Sequence, residues 1–142
     1  MAEARQVRGL LDTSVVVDLD RIDPDLLPDE PAICSVTLAE LAAGPHAAAD
    51  PDERARRQEH LQRIEAIFEP LPFDADAARA YGRIYAAIVS VRRKARGRRA
   101  VDMLIAAIAL ADGLPLYTCN PDDFTGLADL LEVVGVSPTR PL

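Results

Sequence analysis

The stretch Gly9-Leu10-Leu11-Asp12-Thr13-Ser14-Val15-Val16-Val17-Asp18-Leu19 decides how the rest of the chain is read. A short apolar run, suited to a buried strand, feeds directly into Asp12, and two hydroxyl residues then open a second apolar run that fits a helix. An acid at such a switch sits at the carboxyl end of its strand, the edge on which open parallel sheets place their chemistry. The expectation is that the fold brings further carboxylates to Asp12.

Working outward, Val7 to Leu11 reads as a strand and Thr13 to about Asp20 as a helix, ended by the Asp/Pro-rich stretches at Asp23-Pro24-Asp25 and Pro28-Asp29-Glu30-Pro31. A second unit follows, with a strand at Ala32 to Val36 and a helix that starts at Thr37-Leu38-Ala39-Glu40-Leu41 and stops near Gly44-Pro45. Asp50-Pro51-Asp52 opens a helix to about Phe68, with Leu61, Ile64, Ile67 and Phe68 as one apolar face. After a short extended segment at Glu69 to Phe73, Asp74 caps a long helix in which Ala77, Ala80, Tyr81, Ile84, Ile88 and Val91 repeat at helical spacing. Val101 to Asp112 forms a very apolar helix ending at Gly113. Leu114 to Cys119 is a further strand, Asn120 to Phe124 a turn into a short helix, and Leu131 to Val134 a last strand. Strands alternate with helices throughout, so the architecture is α/β with a parallel sheet.

With 142 residues and 49% hydrophobic content, the chain has room for one domain with a real core and not for two comfortable ones, so residues 1–142 read as a single domain. No run approaches the roughly 18 apolar residues of a membrane span, and the start MAEARQVR lacks the apolar region of a secretory signal, which points to the cytoplasm. Cys34 and Cys119 lie in or beside apolar segments and read as small buried hydrophobes rather than a disulfide. His46 and His60 match no zinc spacing. The net charge of −7 argues against nucleic acid only if charge is evenly spread. It is not, because Arg92, Arg93, Lys94, Arg96, Arg98 and Arg99 form a basic knot, which reads equally as a phosphate-binding patch or as the solvated end of a helix.

Three carboxylates are set alike: Asp12 after its apolar run, Glu40 one turn into the second helix, and Asp102 at the start of the apolar helix. Several sheltered acids together would hold protons at neutral pH unless a cation neutralised them, and hard oxygen donors without histidine or thiolate favour magnesium or manganese. Each acid also has a plain structural reading. Asp12 and Asp102 can cap the helices they precede, Thr37 with Glu40 fits a capping box, and Asp122 or Asp123 can form an Asx turn after Pro121. Those readings leave unexplained why every such acid falls at a strand-to-helix junction or a helix start.

The segments LLDTSVVVDL, SVTLAEL, VDMLIAAIAL and YTCNPDDF occur in the order and approximate spacing of the motifs of PIN-domain ribonucleases, and the chain resembles toxins of the VapBC type from about Leu10 to Val134. The resemblance implies a three-layer α/β/α domain with a central, mostly parallel sheet of about five strands. It implies endoribonuclease activity dependent on magnesium or manganese, dimerisation, and inhibition by a VapB-type antitoxin that covers the acidic pocket. By position, Asp12, Glu40 and Asp102 match the family's metal-binding acids and Thr118 the hydroxyl residue of its T-x-D/N motif. Asn120 stands where many members carry Asp, while Asp123, just before Phe124, matches the acid of members reading N-x-x-D-F; Asp123 is favoured as the fourth acid and Asn120 as a polar neighbour. A neutral Asn120 leaves a one-metal mechanism open beside a two-metal one. On this reading Thr13 or Ser14 helps position the scissile phosphate or the water, and Arg92, Arg93, Arg96, Arg98 and Arg99 grip RNA phosphates.

Rival readings fare worse. A haloacid-dehalogenase phosphatase wants a second Asp two residues after the first, where Ser14 stands, and a receiver-like domain wants a lysine on a late strand, whereas the only lysine is Lys94. A non-catalytic RNA- or protein-binding module with a degenerate metal site remains the alternative. Leu26-Leu27 and the face carrying Leu38, Leu41, Ala42 and Ala43 offer apolar surface on which an antitoxin helix can lie, although core packing is the commoner use of such residues.

Overall fold

Neighbouring residues of the first strand, β1 (Arg8–Leu11), serve opposite faces of the sheet. Leu10 packs into a core shared with α4 (Ala75–Ser90) and α5 (Arg98–Asp112), and Leu11 into a second core shared with α1 (Thr13–Val17) and α3 (Pro51–Ile67). Strand geometry sends successive side chains to opposite sides, so a strand covered on both faces must be continuously apolar, as this one is. The computed structural model describes residues 7–90 and 98–139, Arg98 by its backbone only.

Three further strands, β2 (Glu30–Ala32), β3 (Leu116–Thr118) and β4 (Val133–Gly135), complete a sheet of order β2-β1-β3-β4 in which every pairing is parallel. With helices on both faces this is the expected three-layer α/β/α arrangement. The strand-like segment expected at 32–36 divides in two. Its first part joins β2, but Ile33 and Cys34 turn to a different partner: Cys34 forms an isolated parallel bridge with Leu71, and the Leu71 amide donates to the Ile33 carbonyl at 2.9 Å. The sheet among the described residues is therefore four strands plus that bridge.

Several boundaries move for physical reasons. The helix α2 (Ser35–Ala47) begins at Ser35, with Cys34 as its N-cap, and runs through Gly44 and Pro45 rather than stopping there. Pro45 cannot donate to the preceding turn, yet it is buried where α2 pairs with α3, and the Arg57 guanidinium donates to the Gly44 carbonyl at 2.9 Å. On α3, Ile64 is buried, Leu61 and Phe68 are partly covered, and Ile67 is 69% exposed. At 3.6 residues per turn Ile67 stands about 100° from Phe68, so a face centred on Leu61, Ile64 and Phe68 excludes it. On α4, Asp74 accepts from the Ala77 amide at 3.0 Å as expected, and Ala77, Ala80, Ile84 and Ile88 are buried, while Val91 lies outside the described residues. The end of α5 is a Schellman turn at Gly113 (φ +66°), with the Leu114 amide donating to Ala109 and the Gly113 amide to Leu110. No helix among the described residues is long and apolar enough to cross a membrane.

Candidate active site

The chain leaves β1 for β2 on one side of the sheet and reaches β3 on the other, so the connections diverge between β1 and β3. Ligands of open α/β sheets bind beyond the carboxyl ends of strands at such a point. Asp12 follows β1 and Thr118 ends β3 there, side by side, with the Asp12 amide donating to the Tyr117 carbonyl at 2.8 Å.

Asp12 takes the cap role expected of it and is buried. It is the N-cap of α1, its Oδ1 accepting from the Thr13 amide at 2.8 Å, and it is 2% exposed. Its Oδ2 accepts from the Ser14 hydroxyl at 2.9 Å and from the Thr118 hydroxyl at 2.8 Å. Ser14 and Thr118 are themselves held: the Ser14 oxygen accepts from the Cys119 amide and the Thr118 oxygen from the Asn120 amide, each at 3.0 Å. The proton of each hydroxyl, and the Thr13 amide, are thus directed at the acid rather than at an incoming phosphate.

Glu40 reaches the same place from α2. The Thr13 hydroxyl donates to its Oε1 at 2.6 Å, so Thr13 links the Asp12 and Glu40 carboxylates, by its amide to one and its hydroxyl to the other. The capping-box reading of Thr37 and Glu40 gives way, since α2 begins at Ser35 and places Glu40 in its second turn. Asp102 is likewise not a cap: α5 starts at Arg98, so the acid sits one turn in, 4% exposed, on a helix that also packs against α2. Asp123 is half-buried in the 3-10 turn Pro121–Phe124, which Phe124 anchors in the core, and Asn120 is exposed, capping that turn without a side-chain bond.

The donor set is one of oxygens. Burial pushes the Cys34 and Cys119 thiols up, so neither offers a thiolate beside the acids. A carboxylate offers about four acceptor directions, and Asp12 uses one at Oδ1 and two at Oδ2, which leaves a direction at Oδ1. Among the described residues no three acids, cysteines or histidines are gathered closely enough to enclose an ion by themselves. The carboxylate oxygens of Asp12 and Glu40 are of the hard type that a cation such as magnesium takes, one or two carboxylates serving with water and substrate oxygens.

Beside Thr13 and Glu40 opens a cleft of about 760 Å³ walled by α3, where Arg56, Arg57, His60 and Arg63 recur at helical spacing. The three arginines escaped the sequence reading, although their spacing with His60 at three- and four-residue intervals in RARRQEHLQR places them on one helix face. They are balanced by acids: Glu53 accepts from Arg56 at 2.6 Å and from Arg57 at 3.0 Å, which holds its carboxyl below the usual range, and Asp20 lies 3.6 Å from Arg63. Of the basic knot, Arg92, Arg93, Lys94 and Arg96 lie outside the described residues, as does the side chain of Arg98; Arg99 is half-buried on the first turn of α5. The proposed antitoxin surface divides, Leu27 and Leu41 being buried and Leu26, Ala42 and Ala43 exposed.

A parallel α/β sheet with helices on both faces, and with Asp12 and Glu40 joined through Thr13 where its two central strands diverge, is the frame on which the comparisons with known proteins bear. The chain belongs to the PIN-domain family, whose profile matches residues 9–130. It is 40% identical over 133 residues to ribonuclease VapC5 of Mycobacterium tuberculosis, covering 90% of this chain and 95% of that protein. It is 29% identical over 126 residues to ribonuclease VapC of Rickettsia bellii, covering 85% and 91%. The crystal structure of VapBC-5, a member of the VapBC family of toxin-antitoxin systems from M. tuberculosis, matches with a TM-score of 0.80 at 39% identity, over 92% of this chain and 99% of that chain.

Proposed function

We propose that this chain is the endoribonuclease toxin of a VapBC-type pair, a single domain that hydrolyses RNA phosphodiester bonds with a magnesium or manganese ion in the pocket around Asp12. The observation that carries the reading is the convergence of Asp12 and Glu40 on Thr13 at the β1–β3 edge, in a chain so similar to a ribonuclease over nearly its whole length.

Asp12, Glu40 and Asp102 would hold the ion, directly or through water. Once bound it supplies an activated water and stabilises charge at the phosphorus. The chain's own residues prepare that chemistry. Ser14 and Thr118 keep the Asp12 carboxylate from rotating and Thr13 keeps Glu40 turned toward it, while Asp123 would serve as the fourth acid with Asn120 as its polar neighbour, both on the turn that follows β3. Arg92, Arg93, Arg96, Arg98 and Arg99 serve to hold RNA phosphates, which lets a protein of net charge −7 bind a polyanion locally. The partners are a VapB-type antitoxin seated over the pocket and a second copy of the chain, in the cytoplasm.

The test is cleavage of a mixed cellular RNA pool by purified, antitoxin-free protein with magnesium, manganese or chelator, beside Asp102→Asn. Cuts that need the metal and vanish in the variant are the expected result. A folded wild-type protein that cuts nothing under any metal overturns the reading and favours a binding module in which Asn120 marks a degenerate site.

A further inference from the structure

Thr37 is 0% exposed and carries a hydroxyl that the nuclease reading leaves without a task. Its oxygen lies 2.9 Å from that of Thr13. A carboxylate only accepts hydrogen bonds, so the single hydroxyl proton of Thr13 goes to Glu40, at a distance, 2.6 Å, that belongs to charge-assisted bonds. The Thr13 oxygen must then accept, and the donor is Thr37. A threonine within a helix ordinarily returns its proton to a carbonyl of the preceding turn; here the proton crosses to another element. The Thr37 oxygen is approached in turn by the Cys34 thiol at 3.7 Å, the weak start of a chain of bonds with one direction: Cys34 to Thr37 to Thr13 to Glu40.

Thr37 and Glu40 are three residues apart on α2 and so share a face, between which the Thr13 hydroxyl is clamped. Thr13 is 5% exposed and Cys34 0%, so water is poorly placed to replace a missing donor. We propose that Thr37 is a positioning residue: by donating to Thr13 it fixes the direction of the Thr13 proton and with it the orientation of the Glu40 carboxylate toward Asp12. This rests on the reading of Asp12 and Glu40 as the cation-binding acids.

The experiment is manganese titration by calorimetry on folded protein, with steady-state cleavage of one short oligoribonucleotide, for wild type, Thr37→Val and Thr37→Ser. Removal of an outer partner of a metal ligand typically costs 10–100-fold in metal affinity or activity, so Thr37→Val is expected to bind manganese roughly 10-fold more weakly or worse, with lower kcat and unchanged KM for RNA. Thr37→Ser keeps the hydroxyl and binds manganese as the wild type does. A Thr37→Val protein with wild-type manganese affinity overturns the proposal, even if its melting temperature falls, because loss of packing alone lowers the folded fraction without moving the binding constant of what remains folded. Should Thr37→Val not fold, Thr37→Ala against Thr37→Ser gives the same decision. A wild type that neither binds manganese nor cuts RNA sinks the nuclease reading and this role with it, whereas a wild type that does both, matched by Thr37→Val, sinks this role alone.

Discussion

At Thr118 one hydroxyl performs two tasks, donating to Asp12 and accepting from the Asn120 amide, and it does so with 0% exposure. Replacing it with valine keeps the shape and removes both bonds. A buried hydrogen bond lost in this way costs about 1–3 kcal/mol, so Thr118→Val is expected to lower the unfolding free energy by about that amount in denaturant titration, and to cut more slowly, while Thr118→Ser stays close to wild type on both counts. The T-x-N pattern made Thr118 legible as a candidate. Its bonds to Asp12, 106 residues earlier, and its contact with Ser14, 104 residues earlier, were not, because no local spacing encodes which distant hydroxyl meets which carboxylate.

Among the elements, β1 shows how tightly the central strand is seated. A Cβ added at Gly9 would lie 2.5 Å from Cε1 and 2.8 Å from Cδ1 of Tyr117, whose ring is buried in the core beneath α1 and α3. A buried ring on the neighbouring strand cannot swing aside cheaply, and overpacking of a filled core costs about 1–3 kcal/mol. Gly9→Ala is accordingly expected to lower the melting temperature by several degrees with no change in metal affinity, read by calorimetry on the same sample. Helix ends with a chemical marker, such as the start of α4 after Asp74 and the end of α5 before Gly113, were legible to the residue, whereas the start of α5, expected at Val101, lies at Arg98. The β2–α2 junction was not legible. Apolar residues such as Ile33 and Cys34 satisfy a strand reading whichever partner they find, and here the partner is Leu71 rather than β1.

For the whole molecule the consequence of an acidic centre is linkage. A cation that binds only the folded state raises stability by about 2.7 kcal/mol at a hundredfold excess over its dissociation constant. Manganese is therefore expected to raise the melting temperature of the wild type, and chelator to reverse the rise. In Asp12→Asn the rise should be largely lost; asparagine still caps the helix through Oδ1, but its Nδ2 cannot accept from Ser14 and Thr118, so the variant is expected to start from a lower melting temperature without metal. An equal rise in both proteins would place the ion elsewhere.

By itself the sequence determined the alternation of strands and helices, the doubly covered character of β1, and the placing of Asp12 at the carboxyl end of β1, with Glu40 and Asp102 within about two turns of their helix starts. Each of these follows from residue types within a turn or two of chain. The tertiary structure alone decided that β1 and β3 lie side by side, that Ile67 faces solvent while Ile64 does not, and that Thr13 joins two acids under the control of Thr37. Pairing and register between segments so far apart are set by how whole faces pack, and hydroxyl protons go where the packed neighbours leave an acceptor.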